Sequence, residues 1–190
     1  IMILRKINEV EIEINPSKAN EIYFDEDFAE KLPSISLASI ISQLYNEKKE
    51  YIPLGVFHEI TPSCNFSCPF CYINYELNQK KVEPLEKYLN YYKQLIDMGM
   101  LHCTISGGEP LAHPYFKEIY TFLKENGVIV SIFTNLSLLN DELISLFEKY
   151  QPFEIEVSIY SIDEEEFSKI TQSNRKYCNI VLNNILMLKN

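Results

Sequence analysis

Only two arginines occur in the 190 residues, Arg5 and Arg175, and 17 Lys+Arg stand against 27 Asp+Glu, a formal net charge of −10. So acidic a chain lacks the cationic footprint that a nucleic-acid backbone requires, and nucleic acid is not expected among its partners. No apolar run approaches the ~18 residues that cross a bilayer. The start has no charged segment leading into an apolar stretch. No membrane partner is expected, and the chain reads as cytoplasmic. Five glycines among nine prolines exclude collagen-like and low-complexity architectures. The five cysteines are odd in number, and Cys64, Cys68 and Cys71 crowd together. That is no disulfide framework; in a reducing compartment it points to metal ligation.

What the chain does contain is globular material, 46 % hydrophobic and 23 % charged. At roughly 100–200 residues per domain, this is one domain with a small appendage. From about residue 54, apolar runs alternate with amphipathic stretches. The run 54–60 closes at Thr61-Pro62 and reads as a strand. Leu85, Leu89, Tyr92, Leu95 and Ile96 recur at helical spacing between Pro84 and Gly99. A second strand is expected at 101–105. His113-Pro114 then opens a helix whose apolar face is Phe116, Ile119, Tyr120 and Leu123, stopped by Asn126-Gly127. A strand at 128–133, a helix at 141–150, a strand at 153–159 and a helix at about 177–188 complete the pattern. Near-continuous apolar strands alternating with helices predict parallel βαβ units with helices outside the sheet. Right-handed crossovers gather the functional loops at the carboxyl ends of the strands. Such a sheet leaves its fourth strand unpaired along one edge, where further sequence or a partner is expected.

Residues 1–52 follow another pattern. Val10, Ile12 and Ile14 alternate with Glu9, Glu11 and Glu13, a half-buried strand, and Ser34 caps a helix with Leu37, Ile40, Ile41 and Leu44 on one face. This small α+β extension reads as a cover for the sheet, or as a peptide-binding module.

The strongest chemical signal is Thr61-Pro62-Ser63-Cys64-Asn65-Phe66-Ser67-Cys68-Pro69-Phe70-Cys71-Tyr72, directly after the first expected strand. Three thiolates this close can ligate three irons of a [4Fe–4S] cube, whereas a purely electron-carrying cluster takes four cysteines. The two remaining cysteines fall inside an expected strand (Cys103) and an expected helix (Cys178), both read as core thiols. One iron then stays open to a small chelating ligand. The competing reading is a structural zinc site completed by His58 or His102. Three further segments close the next three strands: Ser106-Gly107-Gly108-Glu109-Pro110, Thr134-Asn135-Leu136 and Val157-Ser158-Ile159-Tyr160-Ser161. Two adjacent glycines allow close backbone approach to a ligand, and Glu109 adds a negative charge. Glu164 to Thr171 forms an acidic helix start, which the helix dipole favours. His113 reads as a helix cap, and Tyr88, Tyr91, Tyr92 and Tyr120 as packing residues.

In its Cys-x3-Cys-x2-Cys spacing, with aromatic Phe70 before the third cysteine, the chain resembles the radical S-adenosylmethionine (radical SAM) superfamily. Among its members it is most like the peptide- and protein-modifying maturases that often carry a cysteine-rich SPASM domain. The resemblance covers about 56–190. It implies a radical SAM core at 53–190: an α/β partial (β/α) barrel of about four units where the family has six, catalysis by this chain alone depending on what completes it. It implies a [4Fe–4S] cluster held by Cys64, Cys68 and Cys71, and S-adenosylmethionine as cofactor. Cofactor contacts carry over to Phe70, Tyr72, Gly107, Gly108, Glu109, Asn135 and Ser158: the Gly-Gly-Glu for the methionine amino group, Ser158 for the ribose. Leu136 stands where the family often has glycine, and Ser161 also replaces a glycine. The implied activity is reductive cleavage of S-adenosylmethionine to a 5′-deoxyadenosyl radical, which abstracts hydrogen from a peptide or protein. An electron donor such as flavodoxin or ferredoxin would supply the reductant, and no side chain is assigned a catalytic role. Molybdenum-cofactor-type cyclisation and glycyl-radical activation are the rivals within the superfamily. Outside it stands a non-catalytic iron–sulfur or zinc-binding module that recognises a peptide.

Overall fold

The computed structural model describes residues 3–7, 10–14, 17, 22–24, 53–73 and 82–189. Three short strands come first, β1 (Ile3–Ile7), β2 (Val10–Ile14) and β3 (Ile22–Phe24), paired antiparallel in the order β1-β2-β3. The alternating pattern locates β2, whereas β3 has three residues and is too short to show a period. The helix expected after Ser34 lies outside the described residues.

The rest alternates strand and helix: β4 (Gly55–Thr61), α1 (Leu85–Asp97), β5 (His102–Gly107), α2 (Phe116–Glu125), β6 (Ile129–Thr134), α3 (Asp141–Lys149), β7 (Glu154–Val157), α4 (Glu164–Thr171) and α5 (Lys176–Leu188). β4 to β7 form one parallel sheet in chain order. Each crossover therefore moves one strand over in the same direction, and right-handedness puts the connecting helices on one face. That face carries Val56, Ile60, Cys103, Ile105, Val130 and Ile132, which pack with Tyr92, Ile119, Tyr120, Leu123 and Phe147. By the two-residue period of strands, the other face presents Phe57, Glu59, Thr104, Ser106, Ser131, Phe133, Glu154 and Glu156. The Phe57 and Phe133 rings meet edge-on at 5.8 Å across β5. The sheet thus has an apolar outer face under the helices and an inner face that mixes polar side chains with the Phe57–Phe133 pair.

Local chemistry sets the element ends. Asn140 caps α3 by accepting the Leu143 N–H at 3.0 Å, and Asp163 caps α4 by accepting the Glu166 N–H at 2.8 Å. Gly99 and Gly127, just past α1 and α2, take φ of 111° and 68°. β5 and β6 run further toward their carboxyl ends than their apolar residues predict, because ladder pairing continues through polar Ser106, Gly107 and Thr134. β7 is shorter than expected: beyond Val157 the Ser158 N–H still reaches the Thr134 carbonyl at 3.0 Å, and there β6 ends. Among the described residues β7 has β6 alone as neighbour. A cleft of about 630 Å³ runs along it, lined by Phe153, Ile155, Ile185 and Leu188 among others. Among the described residues no helix is long and apolar enough to cross a membrane.

Candidate metal centre

The chain leaves β4 into a loop carrying Cys64, Cys68 and Cys71, all half-exposed free thiols. The loop is pinned from below. Phe66, only 4 % exposed, inserts between Phe167 of α4 and Tyr177 of α5, with ring centroids 5.8 and 5.3 Å away. The Ser67 N–H donates to the Thr171 carbonyl at 3.0 Å, and Cys64 and Cys68 pack against the same apolar cluster. Burial pushes the Cys64 thiol up to about 11; the Phe66 N–H opposes this, while Glu109, Cys68 and Cys71 add to it. Cys68 is raised by burial and then by Cys71. Cys68 and Cys71 thus oppose ionisation of Cys64, and Cys71 that of Cys68, a penalty that a bound cation reverses. Two N–H donors already face Cys64 Sγ, from Phe66 N at 3.4 Å and Asn135 Nδ2 at 3.7 Å. Three clustered thiols, one served by two N–H donors, suit a soft, thiolate-bound centre.

Both histidines expected to complete a zinc site are engaged elsewhere. His58 Nδ1 lies 2.6 Å from the Tyr92 hydroxyl, in the helical layer, and His102 Nε2 lies 3.0 Å from Ser131 Oγ, at the amino end of β5. Among the described residues no three His, Cys, Asp or Glu side chains converge as around a single ion. Ligands of a cube need no such convergence, since each binds a different iron.

At the end of β5 the two glycines meet the stem of the cysteine loop. Gly107 has φ of +126°, and a Cβ there would lie 2.3 Å from the Thr61 carbonyl oxygen; one on Gly108 would lie 2.3 Å from that of Ser63. The N–H of Gly108 donates to Thr61 O at 2.7 Å and that of Glu109 to Ser63 O at 2.9 Å. The close approach expected of these glycines is here an approach to the protein's own backbone. Glu109 is fully buried. Its Oε1 accepts from the Leu111 N–H (3.0 Å) and the Thr134 hydroxyl (2.6 Å), its Oε2 from the Asn135 N–H (2.7 Å). Burial raises it to about 7 against the pull of those donors.

Asn135, 8 % exposed, is as fully engaged. Its Nδ2 donates to Asn65 Oδ1 at 3.0 Å as well as to Cys64, and its Oδ1 accepts from Ser137 N (2.9 Å) and Ser137 Oγ (2.6 Å). Leu136 follows with φ of 57° and no exposed surface, its carbonyl held by Asn184 Nδ2 at 2.9 Å. The backbone keeps the left-handed turn that a glycine would take freely.

The outer rim is open. Phe70 is 55 % exposed and meets Tyr160, 47 % exposed, edge-on at 4.9 Å. Tyr72, also exposed, donates its hydroxyl to Glu59 Oε1 at 2.6 Å, and this bond, more than burial, raises it to about 12. Ser158 lies exposed just past β7. The structure therefore joins Cys64, Glu109 and Asn135 into one buried network and leaves Phe70, Tyr72 and Ser158 at the surface. Asn65, Phe66, Thr134, Ser137 and Tyr160 also belong to the site, although no spacing rule singles them out. Cys103 and Cys178 are buried, as expected, whereas His113 does not cap α2: its Nδ1 accepts the N–H of Tyr115, the residue before the helix, at 3.1 Å, and the N-cap position Tyr115 makes no side-chain cap bond. Of the four tyrosines read as packing, Tyr92 and Tyr120 are fully buried, whereas Tyr91 is 45 % exposed.

Comparison with known proteins gives one family. The model of the radical SAM superfamily matches residues 58–190. The antilisterial bacteriocin subtilosin biosynthesis protein AlbA of Bacillus subtilis (strain 168) is 30 % identical over 115 residues, 60 % of this chain and 26 % of that protein. PqqA peptide cyclase of Granulibacter bethesdensis is 27 % identical over 119 residues, 62 % and 32 % of the two chains. Streptococcus suis SuiB bound to precursor peptide SuiA superposes with a TM-score of 0.61 at 16 % identity, over 95 % of this chain and 53 % of that one. SuiB bound to S-adenosylmethionine superposes with a TM-score of 0.60 at 17 % identity, with the same coverage. At such identity the likeness is one of fold. The matched part amounts to about a quarter to a third of the curated relatives' length.

Proposed function

Because the chain belongs to the radical SAM superfamily, whose cofactors are a [4Fe–4S] cluster and S-adenosylmethionine, we propose that it houses both and modifies a peptide or protein. Cys64, Cys68 and Cys71 ligate three irons and leave the fourth for the amino and carboxylate groups of the cofactor. When bound, this pair supplies a one-electron cleavage that yields a 5′-deoxyadenosyl radical for hydrogen abstraction. The protein's part is to position and to keep water out. Gly107 and Gly108 bring the end of β5 against the cysteine loop and offer backbone groups to the methionine end of the cofactor. Glu109, buried beneath them, acts on that amino group through its negative charge. Phe70 and Tyr72 flank the nucleoside, and Ser158 offers the ribose a hydroxyl. The inner face, where Phe57, Glu59 and Glu156 are exposed, receives the substrate.

The observation that carries this reading is the half-exposed thiol trio at a parallel sheet's carboxyl edge, with two N–H donors already directed at Cys64. A peptide substrate is supported by the names of relatives: a peptide cyclase, and a fold neighbour solved with a precursor peptide. A small electron-transfer protein, a flavodoxin or ferredoxin, is the proposed donor in the cytoplasm.

Anaerobic reconstitution with iron and sulfide tests the proposal. A brown protein that releases 5′-deoxyadenosine from S-adenosylmethionine under dithionite supports it, provided that replacing any one of the three cysteines by Ala abolishes both colour and product. A colourless protein with one zinc per chain identifies the non-catalytic module instead.

A further inference from the structure

We infer that Asn135 is a positioning residue that delivers an amide N–H to the Cys64 thiolate and thereby raises the reduction potential of the bound cluster. The inference rests on the cysteine assignment proposed above.

A side-chain amide has two N–H donors and two acceptor sites, and all of Asn135's are taken. Oδ1 receives the Ser137 N–H at 2.9 Å and the Ser137 hydroxyl at 2.6 Å; Nδ2 gives to Asn65 Oδ1 at 3.0 Å and to Cys64 Sγ at 3.7 Å. The orientation of an amide is an assignment that its network must justify. Here the Ser137 backbone N–H decides it, since that group can only donate and so fixes Oδ1 on its side. Nδ2 must then face the sulfur. Asn65 closes the ring by donating its own Nδ2 to Ser137 Oγ at 2.8 Å. The backbone under the ring is held as firmly: Asn135 N–H to Glu109 Oε2 at 2.7 Å, Leu136 N–H to Thr134 Oγ1 at 2.8 Å, and Asn184 on the Leu136 carbonyl at 2.9 Å. Leu136 is kept at φ of 57°, a conformation that costs a leucine free energy and that only surrounding bonds can maintain.

The resemblance implies a direct cofactor contact for Asn135, but its polar atoms are committed within the protein and the residue is 8 % exposed. The group within its reach is the thiolate. Reduction adds negative charge to the cluster and its sulfurs. A fixed N–H dipole aimed at one of them in a poorly solvated loop favours the reduced form. The Phe66 N–H at 3.4 Å acts on the same sulfur in the same sense.

The test compares wild-type chain with Asn135→Asp and Asn135→Ser, each reconstituted anaerobically and titrated spectroelectrochemically without S-adenosylmethionine. Asn135→Asp replaces the donor with a charge of the thiolate's own sign. The expected change is at least tenfold toward the oxidised cluster, a fall of 59 mV or more for one electron. Asn135→Ser removes the donor without adding charge, and a three- to tenfold change in the same direction is expected. Should Asn135→Asp not fold, Asn135→Ser carries the test. Variants with wild-type iron and sulfide content and an unchanged potential overturn the inference. Variants that keep their helix content yet take up no cluster also overturn it, since the ring would then serve assembly. Failure of the wild-type chain itself to take up a cube refutes the proposed function instead.

Discussion

Replacing Gly108 by Ala tests whether the glycine pair serves to seat the cysteine loop on β5. The new Cβ would lie 2.3 Å from Ser63 O, 2.5 Å from Ser63 C and 2.7 Å from Pro62 O, all backbone atoms that cannot rotate aside. Carbon–oxygen contacts settle near 3.4 Å or beyond, so the loop must withdraw by about 1 Å. Withdrawal breaks the Glu109 N–H bond to Ser63 O, now 2.9 Å, and stretches that of Gly108 N to Thr61 O, now 2.7 Å. Overpacking costs about 1–3 kcal/mol and each of the two weakened bonds about 0.5–1.5 kcal/mol, so a loss of about 2–6 kcal/mol is expected. Gly108 is not among the glycines with positive φ, so the effect is steric alone; Gly107→Ala adds backbone strain at φ +126° and should cost more. Gly55→Ala is the control, because nothing lies within 4 Å of its added Cβ. The assay is the urea midpoint by circular dichroism, paired with iron per chain after reconstitution. Gly108→Ala should lower both and Gly55→Ala neither. A Gly108→Ala protein with the wild-type unfolding curve and full iron would refute the seating argument.

Phe66→Ala removes a ring that is 4 % exposed and should cost about 3–5 kcal/mol, with a fall in reconstituted iron that an equally destabilising change in α3 does not produce. His113 is held neutral: burial, then the neighbouring His58, lowers it from 6.5 to about 4. The unfolded chain therefore binds the proton more readily, so its contribution is complete above pH 6.5 and is lost as pH falls toward 4. The loss is up to about 3 kcal/mol, and His113→Gln should flatten the slope of urea midpoint against pH over that window. Leu136→Gly relieves a φ of 57° but deletes a side chain with no exposed surface. The roughly 1–2 kcal/mol gained is outweighed by 2.7–5 kcal/mol for lost packing, so calorimetry should show a lower melting temperature.

Much of the architecture is legible in the chain because its signals are local. Asn126-Gly127 ends α2 and the thiol spacing marks the loop, each within a few residues. What connects these parts is not local. Phe66 reads as an ordinary aromatic between two cysteines until Phe167 and Tyr177 close over it. Glu109 and Asn135 resemble ligand residues in sequence, yet in space their partners are Thr134, Leu111, Asn65 and Ser137, and their burial follows from that. Leu136 in a glycine's place marks a departure, but only the tertiary bond from Asn184 explains how the turn survives it. The ends of β5 and β6 were harder to place because their last ladder positions are polar, so hydrophobicity stops before pairing does.

The clamp beneath the cysteine loop also imposes a chronology on biosynthesis. Phe66 and Ser67 leave the translating machinery well before the α4 and α5 surfaces that receive them; Cys68 and its neighbour Thr171 are 103 positions apart. Until that later stretch is made, the thiols hang on an unsupported tether, exposed to oxidants and to stray metals. On the proposed function, loading with iron would therefore be a late event in the life of the nascent chain, and a ribosome stalled before α4 would hold the three thiols without a seat.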